Sequence, residues 1–203
     1  MQIRNIGIVG AGTMGSGISQ IAALTGYDIV MQDVSDEVTS RGLITIDKSL
    51  QRLVDREKIT ADAKDEAIRK ISTTTDLTDL ADCDLVIEAA TENMDLKLEL
   101  FEEIDKVSRP ETIIASNTSS LSLTKLASVS NRPDKVIGMH FFNPVPMMAL
   151  VEIIRALQTS DDTFTTVDEL TRELGKTPVS VKDSPGFVVN RMLVPMINEA
   201  VFI

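Results

Sequence analysis

Cysteine and histidine are nearly absent from this 203-residue sequence, and positive charge is scarce. A single cysteine, Cys83, excludes an intramolecular disulfide and fits a reducing compartment, hence a cytoplasmic setting. A single histidine, His140, leaves one imidazole for acid–base chemistry near neutral pH. Lys and Arg number 20 against 31 Asp and Glu, and the net charge of −11 argues against non-specific nucleic-acid binding. The same imbalance sets a condition on any anionic ligand. Its attraction must be local, from helix N-termini, backbone amides and a few placed cations. No apolar run approaches membrane-spanning length, and the opening MQIRNIGIVG reads as a strand rather than a signal peptide. Repeats, low-complexity segments and linkers are missing too.

What is present is ordinary for a globular protein, with 43% hydrophobic and 25% charged residues, enough for one good-sized core. Short β-branched runs alternate with amphipathic stretches, which predicts an α/β fold with a mostly parallel sheet. Strands are expected at 3–9, 28–32, 85–88, 113–116, 136–140 and 151–154. Helix spacing covers 13–24, then Leu96, Leu100, Ile104 and Val107, then Phe164, Val167, Leu170 and Leu174 behind a Ser160 cap. Residues 36–71 are too many for one crossover helix and read as a protruding pair, 36–56 and 61–71. Ser184–Pro185 reads as an N-cap and first turn. The helix it would open is apolar nearly all round from Met192 to Ile197 and ends without a cap. The expectation is a domain over 1–183, followed at 184–203 by the first helix of a truncated second domain.

Gly10-Ala11-Gly12-Thr13-Met14-Gly15 is a G-x-G-x-x-G loop with a strand before it and a helix after it. The first glycine serves the tight turn, the second lets backbone approach a pyrophosphate, and the third allows helix and strand to pack closely. Asp33 ends the second strand. A carboxylate there accepts from the adenosine ribose hydroxyls and repels a 2′-phosphate, so the pattern favours NAD over NADP.

Three further features are ambiguous by themselves. His140 closes an apolar run, and on context alone a satisfied core histidine is the more natural reading. Glu152 sits in an otherwise apolar strand, where a buried carboxylate needs a partner. Ser116-Asn117-Thr118-Ser119-Ser120 follows a strand, at the end where ligands bind in open α/β sheets, yet one of its serines could simply cap the next helix.

Taken together, GIVGAGTMGSGI, SNTSSLS, GMHFFNPVPMM, LVEI and SPGFVVNR, in this order, resemble the short-chain L-3-hydroxyacyl-CoA dehydrogenases over essentially the whole chain. The resemblance implies a Rossmann-type domain followed by an all-helical domain that makes a homodimer. It implies reversible NAD-dependent oxidation of a 3-hydroxyacyl-CoA to the 3-ketoacyl-CoA, with no metal. His140 would be the general base and acid, Glu152 its orienter, Ser119 a ligand of the reacting oxygen, and Asn190 the catalytic-site asparagine. Gly10, Gly12, Thr13, Met14, Gly15, Asp33, Glu92, Lys97 and Asn117 would contact NAD. Ser49 and Arg56, on one face of the helix pair with Arg52 nearby, would hold CoA, Arg56 standing where the family has a lysine. One departure is Ala149, where the family usually has lysine. Two other readings compete: a Rossmann dehydrogenase of free 3-hydroxy acids, of the lambda-crystallin type, and a nucleotide-binding module without catalysis. As a bland alternative, Glu92 and Lys97 are merely exposed charges at a helix start.

Overall fold

The computed structural model describes residues 2–203. The chain runs through β1 (Asn5–Val9), α1 (Thr13–Thr25), β2 (Asp28–Gln32), α2 (Asp36–Asp55), α3 (Ala61–Arg69), β3 (Ile71–Thr74), β4 (Leu85–Glu88) and α4 (Met94–Val107). It continues through β5 (Ile113–Ser116), α5 (Leu123–Ala127), β6 (Val136–Phe141), β7 (Leu150–Arg155), α6 (Asp161–Glu173), β8 (Thr177–Lys182) and α7 (Val189–Val201). One eight-stranded sheet has the order β3-β2-β1-β4-β5-β6-β7-β8. The first six strands are parallel, β7 is antiparallel to β6, and β8 is parallel to β7. Successive strands are added outward on one side of β1 (β2, β3) and then on the other (β4 onward), so the crevice between the ends of β1 and β4 is where such a sheet binds ligands. Among the described residues no helix is long and apolar enough to cross a membrane.

The central strands are apolar on both faces because helices cover both. Ile6, Ile8, Leu85, Ile87, Ile137, Met139, Val151 and Ile153 pack with α1, α2 and α6 on one side. Val9, Val86, Ile114, Val136 and Ile154 pack with Phe101, Ile104 and Leu126 on the other. Cys83 belongs to this second core. Burial, reinforced by the charge of Asp84, pushes its thiol up to about 12, which makes it an inert packing residue.

Several expectations need correction. β3 and β8 were not anticipated. Ser72 and Thr73 are exposed and four of six β8 residues are exposed, so neither strand carries a core-facing alternation. The first helix of the protruding pair ends at Asp55 rather than residue 56. The second stops at Arg69, because Ile71 enters the sheet beside Ile29. Ser184 does not cap the last helix. Gly186 and Phe187 both take positive φ, carrying the chain through one more turn, and α7 starts at Val189. The serine capping α5 is Ser122, outside the S-N-T-S-S run.

Candidate active site

The glycine loop gives each glycine a different physical reason. Gly10 has φ 106°, and a Cβ there would come within 2.8 Å of the Ala89 carbonyl. A Cβ on Gly15 would lie 1.7 Å from the Gly10 oxygen, so the third glycine is required by the fold itself. Gly12 is different: its φ is −70°, and a Cβ would meet no atom within 4 Å. Nothing in the protein demands glycine there, and the open space lies at the N-terminus of α1, which has no side-chain cap. That is what a pyrophosphate cradle requires. Asp33 accepts from the Ala11 amide (2.7 Å) and the Val34 amide (2.7 Å), which fixes its carboxylate beside the loop. Ala11, Gly12, Thr13, Arg41 and Gly42 line a cavity of about 200 Å³ at this point.

The segment Phe142–Ala149 joins β6 to β7, short enough to return the chain only as an antiparallel neighbour. The resulting register puts Glu152 directly opposite His140, with both side chains on one face. His140 Nδ1 and Glu152 Oε2 are 2.7 Å apart, and both residues are buried. The carboxylate offers lone pairs, so in the neutral imidazole Nδ1 carries the hydrogen and Nε2 keeps its lone pair. Among the described residues Nε2 bonds to no protein group. The rings of Phe142 and Phe187, with centroids 4.4 and 5.8 Å from the imidazole, pack around it.

Glu152 also builds the entry to α7. Its Oε1 accepts from the backbone amides of Val188 (3.0 Å) and Val189 (2.9 Å), the work of an N-cap done from another strand. One residue on, Asn190 donates to the carbonyl of Ser119 (3.2 Å). Ser119 in turn donates from both its amide (2.9 Å) and its hydroxyl (3.1 Å) to Glu92. Burial alone would raise the Glu92 carboxyl, but bonds from Thr118 and Ser119 and the charge of Lys97 hold it below the usual carboxylate range. Asn117 accepts from the Phe141 amide (2.9 Å), next to His140. Thus the loops after β4 and β5, the end of β6, the first half of β7 and the start of α7 bring Glu92, Asn117, Ser119, His140, Glu152 and Asn190 together.

Lys97 lies elsewhere than expected. It is 1% exposed and its ammonium is bonded to Glu88 (2.6 Å), a residue the sequence reading passed over. Glu88 also accepts from the Ala90 amide and the Ser116 hydroxyl. The exposed-charge alternative therefore fails for Lys97, which braces the β4 and β5 ends from below. Its signal was a carboxylate closing an apolar strand, the pattern that marked Glu152.

A second cavity, of about 340 Å³, opens between α1, α2 and the turn at 143–146. Ser49 lines it, together with Lys48 and Arg52. Arg56 does not; it forms the exposed C-cap of α2. Gln20 reaches the same cavity from α1, 2% exposed and with no partner for its Nε2. A buried amide hydrogen without an acceptor marks a place for one.

Comparison with known proteins gives the family. Residues 5–184 match the family model described as 3-hydroxyacyl-CoA dehydrogenase, NAD binding domain. The 3-hydroxybutyryl-CoA dehydrogenase of Clostridioides difficile is 50% identical over 196 residues, 97% of this chain and 70% of that protein. The human mitochondrial hydroxyacyl-coenzyme A dehydrogenase is 43% identical over 98% of this chain and 65% of its own length. The crystal structure of (S)-3-hydroxybutyryl-CoA dehydrogenase from Ralstonia eutropha superposes with a TM-score of 0.97 at 56% identity, over 98% of this chain and 70% of that one. A Rossmann-type sheet with an NAD cradle, matched by the family model over nearly nine-tenths of its length, places this chain in the 3-hydroxyacyl-CoA dehydrogenase family.

Proposed function

We propose that His140 is the general base and acid of an NAD-dependent dehydrogenase acting on 3-hydroxybutyryl-CoA or a similarly short 3-hydroxyacyl-CoA. The observation carrying this reading is the His140–Glu152 pair, whose outer nitrogen is free while its inner one is held. When bound, NAD supplies the acceptor for the hydride that leaves C3. The substrate hydroxyl proton passes to His140 Nε2, and the imidazolium is stabilised by the Glu152 carboxylate behind it. In the reverse direction Nε2 returns the proton to the ketone oxygen.

The other roles follow from position. The Ser119 hydroxyl points its hydrogen at Glu92, so its lone pairs are available to a substrate hydroxyl. Asn190, tied to Ser119, holds the first turn of α7 across the site. Gly10, Gly12, Thr13, Met14 and Gly15 form the pyrophosphate cradle, Asp33 faces the adenosine ribose, and Asn117 and Glu92 border the nicotinamide. Lys97 supports that border from within rather than touching it. Ser49 with Lys48 and Arg52 receives the CoA moiety, and Arg56 has at most an outlying part. In a molecule of charge −11, such cations are the local attraction an anionic thioester needs. The domain boundary at 183/184 is part of the same reading, supported by the absence of any buried residue in α7. So are a homodimer of the full-length form made through the helical C-terminal domain and a cytoplasmic setting, the latter in keeping with the lone buried thiol.

The test is His140→Gln, assayed with acetoacetyl-CoA and NADH. General acid–base catalysis is worth about 10²–10⁴, so kcat should fall by about 10³ while the Kd for NADH stays unchanged. Equal loss of NADH affinity would make His140 structural. Turnover of free 3-hydroxy acids in preference to the thioester would overturn the substrate class.

A further inference from the structure

Lys176 stands one residue before β8, on an exposed edge where any polar side chain would serve. Its ammonium donates instead to two backbone carbonyls, Val145 (2.6 Å) and Met148 (2.9 Å). Among the described residues no carboxylate pairs with it, and burial lowers its pKa below the usual lysine value. Holding a cation partly out of water without an anion is unfavourable, so the two carbonyl bonds have to offset that cost.

Both carbonyls belong to the Pro144–Met148 turn, which already closes on itself: the amides of Met147 and Met148 both donate to the Pro144 carbonyl. Val145 is buried, and a Cβ on Gly17 of α1 would come within 2.8 Å of the Val145 Cβ. The turn is therefore wedged between α1 and Lys176. Its other surface, Asn143–Pro146, is one wall of the 340 Å³ cavity that has Ser49 and Arg52 opposite. We propose that Lys176 is a positioning residue for the acyl-CoA cleft, clamping the Pro144–Met148 turn onto α1 so that its wall stands at the distance the thioester requires. The inference rests on the reading of that cavity as the CoA site.

The experiment compares Lys176→Met, which keeps the length and removes the donors, with Lys176→Arg, which restores them. Lys176→Met should raise the KM for acetoacetyl-CoA about tenfold, equivalent to about 1.4 kcal/mol, while kcat and the Kd for NADH move less than about twofold. Lys176→Arg should recover most of the loss. A lowered Tm with unchanged KM would overturn the inference and leave Lys176 a stabilising residue. So would equal losses for thioester and NADH. If Lys176→Met does not fold, Lys176→Gln, which removes the charge and shortens the side chain, carries the same comparison. Arg52→Ala separates the two claims. Its KM unchanged would refute the cavity reading, and this inference with it. Its KM raised beside an unaltered Lys176→Met would refute the inference alone.

Discussion

Both oxygens of Glu152 are engaged, one by His140 and one by the first amides of α7, and a single substitution separates the two duties. Glu152→Gln can turn its carbonyl to only one of these partners. If the carbonyl keeps the α7 amides, the new NH₂ faces Nδ1, which must then become the acceptor, and the proton moves to Nε2 where it blocks the base. We expect kcat to drop by about 10³–10⁴ with the fold intact, the size of loss that a wrong tautomer causes in a serine-protease triad. Glu152→Ala should also lose about 1–3 kcal/mol of stability, because two amides lose their acceptor. Denaturant melts alongside kinetics distinguish the pair. Glycines offer a second contrast at this scale. Gly12→Ala should leave the Tm unchanged and weaken NADH binding by at least about tenfold, since the Cβ enters the cradle rather than the protein. Gly15→Ala should fail to fold, since its Cβ collides with the Gly10 carbonyl. A Gly12→Ala protein that binds NADH normally would remove the cradle from this position.

Among the elements, α4 and the loop before β6 are joined by one buried carboxylate. Asp105 accepts from Ser130 (2.6 Å), from the amide and side chain of Asn131, and from Arg132 (2.9 Å). Burial would raise this carboxyl, but the donors and the guanidinium overcome it and hold it below the usual range. A carboxylate depressed in the folded state contributes stability that is present above its unfolded pKa and disappears as the pH falls through the folded value. Stability should therefore decline below about pH 4, where unfolded carboxylates begin to titrate. Asp105→Asn should be less stable than the parent at pH 7 by about 2 kcal/mol, with the difference shrinking toward low pH. Chemical denaturation at pH 7 and pH 3 checks both statements. A constant difference would mean that packing, not charge, is what Asp105 supplies.

At the scale of the molecule, α7 and its C-cap carry the largest group of exposed apolar residues. Met192, Val194, Met196, Val201 and Phe202 are all at least 60% exposed. A continuous apolar helix surface of this kind marks an interaction site. Sedimentation should show concentration-dependent association of the 203-residue chain, and Met192→Glu with Met196→Glu should abolish it without changing NADH affinity. A monomer at every concentration would remove the homodimer reading for this helix.

The periodicity of the chain was sufficient for β1, β2 and β4 to β7, because strands buried on both faces must be continuously apolar and their crossover helices amphipathic. It also sufficed for the cofactor, since the glycines and Asp33 fall within one short β1–α1–β2 stretch. Edge strands β3 and β8 left no such mark, because exposed backbone pairing asks little of side chains. The candidate site divides along the same line. That His140 has a carboxylate partner was suggested by Glu152 in an apolar strand. That the two stand opposite each other, that Glu152 rather than Ser184 caps α7, and that Lys97 is turned inward toward Glu88 were decided only in three dimensions. Hydrogen-bond partners 9, 12 and 36 residues apart on different elements obey no local pattern; they are chosen by which unsatisfied donor the finished sheet brings within reach of a buried carboxylate.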